Sequence, residues 1–153
     1  MIQRAAALAA CVAALAACDA RAPAPHALRP GDTEVLAVGR KVYAQHCAAC
    51  HGAQLQGQVP NWRERDAAGR LPAPPHDASG HTWHHPDEVL FRITKYGVAK
   101  AANLPDYDSA MPAYEGVLTD AEIVAVLSWI KSQWPPDVRR HHDEVNAAAR
   151  SAR

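Results

Sequence analysis

The chain is short of bulky apolar anchors. Its 153 residues include one Phe and two Met, and aromatic residues make up 6%. It also lacks an excess of either charge, since Lys plus Arg and Asp plus Glu number 16 each. No basic excess is therefore available to neutralise a phosphate backbone, which argues against nucleic acid as a partner. No apolar run reaches the roughly 20 residues that a membrane-spanning helix needs. No segment alternates apolar and polar residues over the length of a strand, so the fold class expected is all-α. The remaining composition, 48% hydrophobic and 21% charged, suits one globular domain and excludes a disordered chain. Nine His stand against four Cys. With imidazoles outnumbering Phe and Met together, something other than side chains is expected to fill part of the core.

Residues 1–17 read as an export signal: a short start with Arg4, then an apolar run from Ala5 to Ala17. Leu15, Ala16, Ala17 and Cys18 look like a bacterial lipobox, which places cleavage before Cys18 and lipid on its sulfur. A free thiol at a mature N-terminus would be a liability in an oxidising compartment. Residues 18–31, with Pro23, Pro25 and Pro30 and no periodicity, are expected to form a lipid-anchored flexible tether. The protein is thus expected on the periplasmic side of a bacterial membrane.

Removing the leader leaves Cys18, Cys47 and Cys50, the last two in Cys47-Ala48-Ala49-Cys50-His51. This is the C-x-x-C-H pattern of covalent c-type haem attachment. Two thiols three positions apart on one helical turn can reach the two vinyl groups on one edge of a porphyrin. The adjacent His51 then lies under the ring centre, where its imidazole can bind iron. A redox dithiol, a disulfide and a zinc site compete with this reading. The zinc site would need ligands from His76, His81, His84 or His85, and no second Cys pair exists. Haem is preferred.

A six-coordinate iron needs a second axial ligand. Met111 is the one Met beyond the leader, in Ser109-Ala110-Met111-Pro112. Pro112 withholds a helical hydrogen bond and disfavours the helical conformation at Met111. A loop of this kind can lay a thioether across a ring.

With these parts in this order, residues 32–135 resemble a class I, monohaem bacterial cytochrome c. The resemblance implies that family's fold, about three to five helices around one covalently bound haem. It implies haem thioethers at Cys47 and Cys50, with His51 as proximal and Met111 as distal iron ligand. It also implies that Gly39 and Tyr43 meet Val126 and Trp129 of the last helix, and that a Pro carbonyl orients the proximal imidazole. Pro60 is the nearest candidate for that carbonyl. Trp62, Arg63, Leu71 and Trp83 are candidates to line the haem.

Local signals place the helices. Asp32 or Thr33 caps a first helix to about Cys47, with Val35, Leu36, Val38, Val42 and Tyr43 as its apolar stripe. Pro86 opens a helix to Tyr96 that buries Val89, Leu90, Ile93 and Tyr96. Thr119 and Glu122 form a capping box for a last helix that Pro135 and Pro136 stop. Residues 136–153 are expected to be a solvated tail.

The function expected is single-electron transfer by one haem c, in a carrier rather than an enzyme, or in a subunit of a respiratory complex. Its partners would be redox proteins and, through the lipid, a membrane. A haem enzyme or gas sensor with a displaceable sixth ligand is the first alternative. A non-haem His/Cys metal-binding lipoprotein is the second.

Overall fold

A computed structural model describes residues 24–152. The expected signal and Cys18 lie outside the described residues. Among the described residues all regular structure is helical, and no helix is long and apolar enough to cross a membrane.

Helix α1, Thr33–His46, starts where Asp32 accepts a hydrogen bond from the Val35 N–H at 3.2 Å. It buries Gly39, Val42 and Tyr43, whereas Val38 is 46% exposed and leaves the expected stripe. A single turn, α2, Ala48–His51, follows. Helix α3, Asp87–Tyr96, has Pro86 as its N-cap and ends at Gly97, whose φ of +81° suits a residue without Cβ. Its buried face is Leu90, Phe91 and Thr94, rotated from the expected one, with Val89 exposed. A second single turn, α4, Val98–Ala101, leads to the irregular stretch that holds Met111.

Helix α5, Asp120–Ser132, begins with the expected capping box. The Glu122 N–H donates to Thr119 Oγ1 at 3.2 Å, and the Thr119 N–H donates to the Glu122 carboxylate at 2.9 Å. α5 crosses α1 at Gly39. A methyl group there would overlap the Ala125 carbonyl and press on Trp129 Cβ. Tyr43 packs beside Trp129 with ring centroids 4.7 Å apart. The closest approach thus uses Ala125 and Trp129, while Val126 is buried in the adjoining core with Tyr43, Phe91, Ile123, Ile130 and Trp134.

Residues 136–151 are helical, which corrects the expected solvated tail. Helix α6, Pro136–Ser151, starts at the proline pair that stops α5. His142 is 0% exposed, and its Nε2–H donates to the His85 carbonyl at 3.0 Å. Buried Asn146 donates to Asp87 Oδ1 at 3.0 Å and accepts from the Asp87 N–H at 2.8 Å. Buried Lys131 of α5 meets Asp143 at 2.5 Å. Polar pairs rather than an apolar stripe hold this helix down. The described residues contain six α-helices, two of them single turns, in keeping with the all-α fold expected.

The described end of the expected tether is also docked. The His26 ring stacks on Phe91 with centroids 3.5 Å apart and planes 6° apart, and its Nδ1 lies 2.8 Å from Glu88. The Leu28 N–H donates to Asp87 Oδ2 and the Arg29 N–H to Ser128 Oγ, both at 2.9 Å. Residues 24–31 therefore form a strap across α3 and α5. Residues 18–23 of the expected tether lie outside the described residues.

Candidate haem-attachment site

The C-x-x-C-H motif sits at a break between two helices. Cys47 closes α1 and opens α2, with its N–H donating to the Tyr43 carbonyl at 2.9 Å. Gly52 ends α2 at φ +80°, and its carbonyl accepts from the Tyr43 hydroxyl at 2.7 Å. The same α1 side chain that packs on α5 thus also ties down the end of the motif. Cys47 and Cys50 are both free thiols, the first half-buried and the second exposed. Burial, with Cys50 nearby, pushes the Cys47 thiol up to about 11, so it stays protonated at neutral pH.

His51 is buried, and its Nδ1 lies 2.8 Å from the Pro74 carbonyl. A carbonyl only accepts, so Nδ1 carries the proton and Nε2 keeps its lone pair. Nε2 makes no hydrogen bond among the described residues. Burial lowers the tendency of this ring to protonate, although the Pro74 bond opposes the shift. A neutral imidazole oriented through one nitrogen and open at the other is the form that ligates a metal.

Pro74, not Pro60, supplies this carbonyl; Pro60 is exposed in a turn. Its position comes from cross-loop bonds. The Gln58 N–H donates to the Ala73 carbonyl at 3.0 Å, and the Gly57 N–H donates to the His51 carbonyl at 2.8 Å. A Cβ on Gly57 or Gly80 would overlap Pro75 from either side. Glycine at both positions lets the chain close around the proline pair.

Two further residues lie about His51: His76, which the sequence offered only as a candidate zinc ligand, and Trp134, which it did not single out. The His76 ring lies face to face with His51, centroids 3.9 Å apart and planes 21° apart. Burial, then His51 and His81 nearby, hold His76 well below the usual imidazole range, so the ring is neutral at pH 7. Trp134 donates its Nε1–H to the His76 carbonyl at 2.7 Å. The available signal was the rigid run Pro72-Ala73-Pro74-Pro75-His76, which cannot be flexible.

Met111 is partly buried and packs against the same core as Cys47 and Ala48. Its N–H donates to Ser109 Oγ at 3.2 Å. The loop beyond it is held by Tyr114, whose N–H donates to the Thr94 carbonyl at 3.1 Å and whose hydroxyl donates to the His46 carbonyl at 2.6 Å. Tyr114, a further residue the sequence did not single out, joins the Met111 segment to the start of the motif.

The expected haem-lining residues divide. Trp62 is buried between the Arg63 guanidinium, 4.1 Å from its ring centroid, and His81, stacked at 5.1 Å. Trp83 stacks on His84 at 3.7 Å, donates to the Ala78 carbonyl at 3.3 Å and turns its edge to His141 of α6. Leu71 is partly buried. Arg70 Nε and His81 Nδ1 are buried without hydrogen-bond partners among the described residues. His76, His81, His84 and His85 do not converge: among the described residues no three His, Cys, Asp or Glu side chains are grouped to hold a metal ion.

The donor set fits a covalent porphyrin: two accessible thiols on one turn, and a buried neutral imidazole with a free nitrogen. An all-helical chain with such a turn defines a protein of the c-type haem class. The family model for cytochrome c matches residues 36–134, more than half of the chain, which therefore belongs to the cytochrome c family. Membership implies one covalently bound c-type haem and haem-based electron transfer. No curated protein and no solved structure gives a significant match.

Proposed function

We propose that the chain is a membrane-tethered single-electron carrier, with haem joined through thioethers at Cys47 and Cys50 and ligated axially by His51 and Met111. The observation that carries this reading is the Pro74-bonded His51 imidazole, whose Nε2 makes no hydrogen bond among the described residues and which directly follows two free thiols on one turn. When bound, the haem supplies one iron centre that changes charge by a single unit without exchanging atoms.

The chain's own residues do the rest. Pro74 holds the His51 proton on Nδ1, which keeps Nε2 a donor in both redox states. Tyr114 ties the loop that carries Met111 to the residue before the motif, which supports Met111 as the second ligand. With both axial positions filled by protein, no place remains for oxygen or substrate, which favours a carrier over an enzyme. A thioether ligand favours the reduced iron and a comparatively high potential.

Export, acylation at Cys18 and attachment on the periplasmic side complete the proposal. Redox proteins at that membrane are the partners, with the chain acting alone or as a subunit of a respiratory complex. The test is the absorption spectrum of protein matured in a host competent for c-type haem attachment. Low-spin bands in both redox states, with Cys47→Ala losing one thioether, are expected. A five-coordinate high-spin wild type that binds carbon monoxide at once would favour the gas-sensor reading. Colourless protein would sink the haem assignment.

A further inference from the structure

His76 is the side chain closest in geometry to His51 that the reading above leaves without a role. The two rings face each other at 3.9 Å with only 21° between planes, so the His51 ring cannot rock on the Pro74 bond without striking its neighbour. His76 is itself held at its backbone N–H, its carbonyl and its ring Nδ1. Its N–H donates to the Leu55 carbonyl at 2.8 Å, and its carbonyl accepts from Trp134 at 2.7 Å. Its ring Nδ1 is bonded to the buried Thr82 hydroxyl at 2.8 Å. The Tyr43 ring stands edge-on at 6.4 Å.

Leu55 adds weight to this arrangement. It is buried with φ +66°, a left-handed conformation that costs a non-glycine residue energy, and its carbonyl accepts from both His76 and Asp77. A packing filler does not require a strained acceptor at Leu55, a buried hydroxyl on its ring nitrogen and an indole on its carbonyl. An aliphatic side chain of similar size would fill the space with no planar face and no nitrogen for Thr82.

We propose that His76 is a positioning residue for His51: by stacking on it, His76 fixes the rotation of the ligating imidazole and thereby tunes the potential and low-spin signature of the centre. The proposal rests on the assignment of His51 as an axial ligand. Two consequences follow from the chemistry. The orientation of an axial imidazole sets the anisotropy of the oxidised low-spin iron. The electron-rich face of a stacked ring also favours the form in which the ligated imidazole carries more positive charge, which is the oxidised one.

The test uses the haem-loaded full chain as wild type, His76→Leu, His76→Phe and Thr82→Val. His76→Leu should shift the g-values of the oxidised protein and raise the reduced-to-oxidised ratio at the wild-type midpoint by roughly threefold, as loss of an aromatic contact would. His76→Phe keeps a face for stacking and should restore both readouts most of the way. Thr82→Val should move them in the same direction as His76→Leu, by less. Unchanged g-values and midpoint in loaded His76→Leu would overturn the proposal while leaving His51 ligation intact. Where His76→Leu fails to retain haem, Thr82→Val decides: a shift supports the proposal and none overturns it. A wild-type protein without axial-nitrogen coupling would overturn the ligand assignment and the proposal with it, an outcome visible before any variant is made.

Discussion

The Tyr114 hydroxyl donates to the His46 carbonyl across 2.6 Å, bonding the segment that carries Met111 to the last residue of α1, directly before the first cysteine of the motif. One bond thus links the two sides from which axial ligands are proposed to approach. Tyr114→Phe removes only the hydroxyl. It should cost about 1 kcal/mol of stability, the worth of one hydrogen bond. In the haem-loaded protein it should also speed displacement of Met111 by cyanide, measured by stopped-flow absorbance. An unchanged displacement rate would show that the tie does not reach the ligand.

Met111→Ala tests the distal side directly. The variant should keep its covalent haem, lose the absorption signature of thioether ligation, and bind carbon monoxide where the wild type resists it. Equal carbon monoxide affinity in the two proteins would remove Met111 from the iron.

The α1–α5 crossing tolerates no side chain at Gly39, because the clashing atoms belong to the α5 backbone at Ala125 and cannot swing aside. Gly39→Ala should destabilise the protein by about 3 kcal/mol, at the upper end of the usual range for overpacking. Chemical denaturation would measure it. A Cβ at exposed Gly69 meets nothing within reach, but its φ of +79° still penalises Ala there. The informative contrast is Gly31→Ala, also unopposed, which should be close to neutral.

Docking of α6 should depend on pH through His142. This ring donates from Nε2 to the His85 carbonyl and accepts at Nδ1 from Asn146 at 3.3 Å, a pattern only the neutral form can satisfy. Burial chiefly, then Lys131, lower its tendency to protonate, against weaker opposition from Asp87, the His85 carbonyl and Asp143. A histidine whose folded value is depressed contributes stability that is fully present above its unfolded value of about 6.5. That contribution is lost as the pH falls through the lower folded value. Urea midpoints followed downward from pH 7 should therefore fall more steeply for the wild type than for His142→Gln. Parallel profiles would clear His142 of the effect.

The parts of the site legible in the sequence are those whose chemistry requires a fixed spacing. Cys47, Cys50 and His51 occupy one turn, and the Thr119–Glu122 capping box announces α5 by contact between near neighbours. Pro74 was not legible because its approach to His51 depends on Gln58, Gly57 and Gly80, whose bonds and clearances cross a long irregular loop. Helix α6 escaped detection because its buried residues, His142 and Asn146, are polar and form no apolar period. The rotated face of α3 has a similar origin: Phe91 lies under His26, a partner from the far side of the sequence.

The strap has one last implication for how electrons reach the protein. Were Cys18 acylated as proposed, residues 19–23 alone would separate the lipid from the docked stretch, a reach of at most about 18 Å when fully drawn out. A body moored that tightly cannot roam between distant donors and acceptors. Anchored in that way, it would exchange charge with whatever stands alongside it, and pivoting in place, not travel, would limit its turnover.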